Sequence, residues 1–333
     1  MTRRRRFLLP LAGVLLAALA GASWLAPRRA TWAWPADHHT HLGSADLCAR
    51  VGECGTYHDP PAVLAADLVH VLDAAHVARA VVLSTAYAYG IPSLGLAPDS
   101  VALLVRRENE FTAAEVAQYP DRLVGFLSLD PMQPSALEEL AYWHGRRVLR
   151  GLKLHLTVLG VKLGDSAQRA RVAEVVGAAA AQGLPLVIHV GGGTFGAREA
   201  ELFVRDVLPR AGDMPVQLAH GAGGLPLLGD NHVAVLRVFA KHIMDRTPAT
   251  RRMLFDLSFV PGPGEDATTT TRLMREIRRI GLERFLFASD FSVQTPEDAV
   301  RALDRLGLTP EERAVLARAC APWVCPAGGD GPP

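Results

Sequence analysis

Asp37, His38, His39, Thr40 and His41 follow one another in a short run bounded by Ala36 and Leu42. Side chains of an extended strand alternate between its faces, so Asp37, His39 and His41 share one face and His38 and Thr40 the other. Two imidazoles projecting from one strand end, one residue apart, can bind a single metal ion from the same side. A lone His-x-His is weak evidence, and its weight depends on the other strand ends. Lys153 and His155 close one apolar run, His189 another, His220 a third and Asp290 a fourth. Imidazole nitrogens with one carboxylate suit zinc, and also manganese, iron or nickel. Three histidines and an aspartate leave room for a water, whose pKa a metal lowers while polarising a carbonyl.

Such residues meet only if the strands that end in them lie side by side. From Pro35 onward, short apolar runs alternate with longer amphipathic ones. Strands are expected at 36–42, 80–84, 123–128, 151–155, 186–189, 216–220, 253–257 and 285–290. Between them, helical periodicity runs over 61–76, 136–147, 167–182 and 268–280, and 99–118 reads as a helix ahead of the third strand. Strands alternating with helices describe a parallel sheet buried on both faces. Eight of them predict an α/β fold, a (β/α)8 TIM barrel, in which every strand's C-terminal end opens on one mouth. Long loops after these strands, such as 86–99, 155–165 and 191–199, would line that mouth.

The chain has 333 residues with a formal net charge of +1, so no basic field argues for a nucleic-acid partner. Residues 1–26 stand apart. Arg3 to Arg6 precede an uncharged apolar run from Phe7 to Ala26, the layout of an export signal. Arg4-Arg5-Arg6-Phe7-Leu8 also resembles a twin-arginine address, and Ala18-Leu19-Ala20 fits a cleavage site. The alternative is an uncleaved signal anchor, a membrane tether through residues 7–26. Either way the remainder lies across the cytoplasmic membrane, periplasmic or extracellular. Without Arg3 to Arg6, 31 basic residues face 34 acidic ones. The four cysteines form two local pairs, Cys48 with Cys54 and Cys320 with Cys325, candidate disulfides in an exported protein. Buried free thiols are the alternative, and neither pair has the C-x-x-C spacing of a zinc site. One catalytic domain is expected over 35–325, with a disordered tail over 326–333.

With these pieces in place, the sequence resembles the amidohydrolase superfamily, and within it the amidohydrolase-related group that includes aromatic-acid decarboxylases. The resemblance rests on Asp37-His38-His39-Thr40-His41, Gly151-Leu152-Lys153-Leu154-His155, Ile188-His189, Ala219-His220-Gly221-Ala222-Gly223 and Ala288-Ser289-Asp290, with Tyr119-Pro120-Asp121-Arg122-Leu123 before the third strand. It implies that His39, His41, His189 and Asp290 hold the metal, that Asp290 also takes a proton from the metal's water, and that His220 faces the substrate as polariser or base. It leaves two roles for Lys153: a carbamate bridging two metals, or a point charge for an anionic substrate group. His155 is expected to turn to the strand's other face, so that one of Lys153 and His155 is functional and the other supports the loop that follows. Asp37 reads as a structural brace. Ser292 after Phe291, and Ala319 to Trp323 near the C-terminus, depart from the group's pattern without removing a ligand.

The leading expectation is an exported metal-dependent hydrolase, with one zinc ion favoured and manganese or iron as alternatives. Its metal-activated water would attack a C–N or C–O bond at a carbonyl centre of a small molecule. The runner-up keeps fold and metal and changes the chemistry to non-oxidative decarboxylation. It would want arginine in the mouth, for which Arg198 is the nearest candidate. A membrane-tethered binding module without catalysis is the third reading, opposed by the complete ligand set. A homodimer is compatible with the chain.

Overall fold

The computed structural model describes residues 33–51, 62–224 and 229–325. Eight strands, β1 (Asp37–Thr40), β2 (Ala80–Leu83), β3 (Leu123–Ser128), β4 (Leu149–His155), β5 (Leu186–His189), β6 (Val216–Leu218), β7 (Met253–Asp256) and β8 (Phe285–Leu286), pair in parallel in sequence order. The ring closes through irregular contacts between its first and last members. The His38 amide donates to the Phe287 carbonyl at 3.0 Å, the Asp290 amide donates to that of His39 at 2.8 Å, and Thr40 bridges Phe291. This is the (β/α)8 barrel that the alternating pattern predicts.

The alternation of side chains sorts the strand residues into two cores. Ala80, Val82, Leu152, Leu154, Leu186 and Ile188 point outward and are buried under the helices. Val81, Leu83, Val124, Phe126 and Val187 point inward and fill the barrel. Gly151 makes room for Phe126, whose ring would collide with any Cβ at that position. The strands are buried throughout because helices cover one face and the barrel interior the other.

Residues 320–325 close the bottom of the barrel. Val324 joins the inner cluster, and the Trp323 ring lies 5.8 Å from that of Phe126. Arg79 donates to the Val324 carbonyl at 3.0 Å, the Ala321 amide donates to His38 Nε2 at 3.1 Å, and Cys320 is disulfide-bonded to Cys325 as the spacing suggested. The Cys48–Cys54 pairing involves Cys54, outside the described residues. The N-terminal segment 1–26, Pro61 and the tail 326–333 also lie outside them. Among the described residues no helix is long and apolar enough to cross a membrane.

Helices form where periodicity placed them, with small shifts at their ends: Ala65–Ala74, Pro98–Ala117, Ala136–Trp143, Ser166–Ala181 and Ala267–Ile280. Asp165 and Asp266 cap two of them by accepting backbone N–H groups of the first turn. The helix Pro98–Ala117 anchors the mouth from outside. Its buried Glu108 accepts from the Ser44 amide (3.0 Å) and hydroxyl, fixing the loop after β1. Asn109 pairs with both backbone groups of Ser128 at 2.9 Å, fixing the end of β3.

Candidate metal centre

Alternation along β1 turns His39 and His41 inward at the C-terminal mouth, and the hydrogen bonds of their Nδ1 atoms set their tautomers. His41 Nδ1 faces the Leu83 carbonyl at 2.8 Å, which only accepts, and His39 Nδ1 faces Asp256 Oδ2 at 3.1 Å. Both Nδ1 atoms therefore carry the proton, and both Nε2 atoms present lone pairs. Those two lone pairs lie 3.1 Å apart, and Asp290 Oδ1 lies 3.3 Å from each.

Three acceptors facing one point repel one another unless positive charge lies near them; Lys153 Nζ lies 3.1 Å from His39 Nε2, and a cation among the three would offset the rest. The donor set of two imidazoles and a carboxylate therefore fits a divalent ion of the zinc, manganese or iron type. Burial, then Lys153, push the His39 pKa down to about 4, which keeps it neutral at physiological pH. Burial pushes the Asp290 carboxyl up, and positive charge at the cluster of His39, His41 and His220 pulls it well below the ordinary carboxylate range.

Asp256, closing β7, accepts His39 Nδ1–H and Gln217 Nε2–H (2.7 Å) on Oδ2. Its Oδ1 accepts the His220 amide (2.9 Å), the Ser258 amide (3.3 Å) and the Ser258 hydroxyl (2.6 Å). His39, His220 and Asp256 are close enough together to form a second candidate group. A carboxylate offers about four lone-pair sites, and these are taken. Asp256 thus braces the histidines from behind. Sequence reasoning missed it, although β7 ends in Asp256 just as β5 ends in His189.

His220 sits on a turn after β6 with φ 55°, and Asp290 follows β8 with φ 63°. The left-handed region is unfavourable for both residues, and both hold it where they turn into the mouth. His220 Nδ1 lies 2.8 Å from the Ser258 hydroxyl and 3.2 Å from its carbonyl. The hydroxyl's hydrogen goes to Asp256, so Nδ1 is the donor and Nε2 is left as a lone pair, 3.9 Å from Asp290 Oδ2.

The remaining expected residues divide. Lys153 is fully buried, with Nζ 3.1 Å from His39 Nε2, and burial lowers its pKa to about 8 against the pull of Asp290 and Asp256. His155 does not turn to the other face. Residues two apart on a strand share a face, so it points inward with Lys153 and stacks on His189 with ring centroids 3.9 Å apart. The Tyr87 ring lies on its other side at 5.0 Å. His189 belongs to this ring of histidines, 4.7 Å from His220, but its Nε2 faces the Gly191 carbonyl at 3.1 Å. It is not among the converging atoms. Arg198 is exposed on the helix Ala197–Leu202, and none of the hydrogen bonds described for the cluster reaches it. Asp37 is the brace expected: its Oδ1 accepts the amides of His39 (3.2 Å) and Ser289 (3.0 Å), and burial pushes its pKa up to about 7.

Comparison with known proteins agrees with the geometry. No curated protein matches the sequence. Among solved structures, a probable 2-pyrone-4,6-dicarboxylic acid hydrolase from Acinetobacter baumannii is 17% identical (TM-score 0.54; 84% of this chain and 95% of that one). An amidohydrolase from Burkholderia multivorans with bound zinc is 16% identical (TM-score 0.56; 86% and 96%). A 5-carboxyvanillate decarboxylase from Novosphingobium aromaticivorans, complexed with manganese and 4-hydroxy-3-methoxy-5-nitrobenzoic acid, is 15% identical (TM-score 0.57; 89% and 97%). At these identities the likeness is one of fold. The amidohydrolase family model, by contrast, matches the sequence itself over residues 36–320, from β1 to beyond β8. Since that match takes in every strand and the whole mouth, the chain belongs to the amidohydrolase family.

Proposed function

We propose that the chain is a metal-dependent hydrolase that adds water to the carbonyl of a small molecule and breaks its C–N or C–O bond. The observation that carries this is the convergence of two imidazole lone pairs and one carboxylate oxygen on a single point of the mouth. One divalent ion, zinc first and manganese or iron as alternatives, would be held by His39, His41 and Asp290. It would supply Lewis acidity, lowering a water's pKa and polarising the carbonyl. His189 stands next to this set and joins it if its ring turns from the Gly191 carbonyl.

Asp290 places one oxygen among the ligands and turns the other, Oδ2, toward His220. That second oxygen is the proton acceptor for the attacking water, and it returns the proton to the leaving nitrogen or oxygen. His220, with Nδ1 tied to Ser258, presents Nε2 on the far side of a 3.9 Å gap and accepts or steers the same proton. Lys153 adds positive charge beside His39. Decarboxylation on the same fold is the second reading, supported by the likeness to a decarboxylase.

Residues 1–26, basic then apolar, support export across the cytoplasmic membrane, and the Cys320–Cys325 disulfide suits an oxidising compartment. The test is metal content per chain for protein lacking residues 1–26, beside a His39→Ala, His41→Ala double variant. About one ion per chain, lost in the variant along with ester, lactone or amide hydrolysis, is the expected result. Metal-free wild type that takes up no ion on addition refutes the reading, and carbon dioxide release without hydrolysis moves it to the decarboxylase.

A further inference from the structure

The charge of the mouth carries information about the substrate. Among the described residues, 41–44, 62–64, 84–97, 129–135, 156–165, 190–196, 219–224, 257–266 and 287–295 run between the strands and the helices that follow them. In a chain with 35 lysines and arginines, these stretches hold no arginine and only one lysine, Lys162, against five aspartates and glutamates, and Arg198, at the start of the helix Ala197–Leu202, is exposed. Lys162 is exposed and lines a different cavity, with Thr157 and Thr194. Arg50, on the short helix after β1, is paired with Asp46 at 2.8 Å. Lys153 points at His39 inside the ligand cluster.

Beside His41 opens a groove of about 210 Å³ lined by Leu42, Leu47, Tyr87, Ile91, Val158 and Val293. That exceeds the roughly 150 Å³ of a cavity that takes up benzene. Val158 and Val293 stand at it 40% and 45% exposed, among the few large apolar side chains that the described surface leaves open. A carboxylate entering here would lose water and, beyond the hydroxyl-bearing Thr85, Tyr87 and Ser292, find no guanidinium or ammonium partner in the lining, which disfavours it. An apolar ring or chain would exchange water for carbon contacts.

We propose that the substrate is an uncharged ester, lactone or amide whose ring-sized apolar group seats in the groove beside His41, and is not a carboxylic acid. This rests on the hydrolase reading above and narrows it. It also separates this mouth from the acids that the names of the similar structures mention.

The test is calorimetric binding of benzohydroxamic acid and 4-carboxybenzohydroxamic acid to the full chain loaded with zinc. The two probes share a metal-binding head and differ by one carboxylate. The neutral probe should bind at least tenfold tighter, and Ile91→Arg should narrow or reverse the ratio. Val158→Arg, at an exposed position that the fold tolerates, should act in the same direction. Equal or tighter binding of the carboxylated probe by the wild type overturns the inference, as does binding of neither. Rates on phenyl acetate and 4-carboxyphenyl acetate separate the two claims. Faster cleavage of the carboxylated ester refutes the uncharged substrate and leaves hydrolysis standing. Carbon dioxide release from benzoic acids with no ester cleaved refutes hydrolysis itself.

Discussion

Replacing Asp256 by asparagine keeps the shape of the centre and changes one thing, the direction of its hydrogen bonds. In the native protein all five contacts are donated to the carboxylate, two to Oδ2 and three to Oδ1. An amide must present its NH2 group to one side or the other. Placed at Oδ2, it meets Gln217 Nε2–H and frees His39 to adopt the other tautomer, with its proton on Nε2 where the lone pair is needed. Placed at Oδ1, it meets the His220 and Ser258 amides, and the turn that carries His220 must shift. Loss of a partner behind a ligating histidine typically weakens metal binding 10- to 100-fold, about 1.4 to 2.8 kcal/mol. Unlike charge removal at an exposed site, this loss falls on a group that is 0% exposed, so solvent does not screen it. The assay is competition for zinc against a chromophoric chelator, with the thermal melting of metal-free protein as control. Ser258→Ala, which removes only the 2.6 Å hydroxyl contact, should cost less than tenfold. If Asp256→Asn binds zinc within twofold of wild type while its metal-free form melts normally, Asp256 does not set the tautomer of His39. The assignment of His39 as a ligand would then fail with it.

Asp290→Asn should lower turnover by about 10²- to 10⁴-fold through loss of the proton acceptor, and steady-state hydrolysis at matched metal occupancy measures it. Retained turnover would move the acceptor role to His220. Gly191→Ala should destabilise by roughly 1 to 3 kcal/mol or more, because its methyl group would run into the Gly223 carbonyl of the neighbouring loop; urea unfolding measures this, and a neutral result means that the two loops part easily. Burial lowers the pKa of both His38 and His39 to about 4. At these two sites the folded state binds fewer protons than the unfolded one between about pH 4 and 6.5, while Asp37, pushed up to about 7, binds more and offsets about one of them. Metal-free protein should therefore be fully stabilised above pH 6.5 and lose stability as pH falls toward 4, at up to roughly 1.4 kcal/mol per unit net of that offset. Denaturant titrations at pH 7, 6 and 5 test this, and a flat profile contradicts it.

Strand positions and the shared mouth were legible because parallel strands buried on both faces leave nearly unbroken apolar runs. Ligand-type residues stand out at the ends of such runs. Asp256 is harder to read, because it follows Met253, Leu254 and Phe255 and precedes Leu257 within an apolar run. His155 was assigned to the wrong face although the period of two places it with Lys153. The orientation of His189 could not be read, since it depends on a carbonyl two residues further on. The last predicted strand spans 285–290, but only Phe285 and Leu286 stay in the ladder. Closing the ring calls for an irregular seam, and Asp290 leaves the extended region there. Glu108 and Asn109 looked like ordinary helix residues because Ser44 and Ser128, which they hold, are distant in sequence.

That seam gives the centre a mechanical meaning. His39 and His41 come from the first strand and Asp290 from just beyond the last, with 249 positions separating His38 from the Phe287 carbonyl that its ring meets. An ion bound by all three works as a clasp on a hoop. Its binding would favour the closed ring at the joint where ladder pairing gives way to irregular contacts, so ion binding and closure of the sheet would reinforce each other. A fragment ending before β8 would carry both histidines and hold no clasp, and every ligand-bound molecule must be one whose two ends have already met.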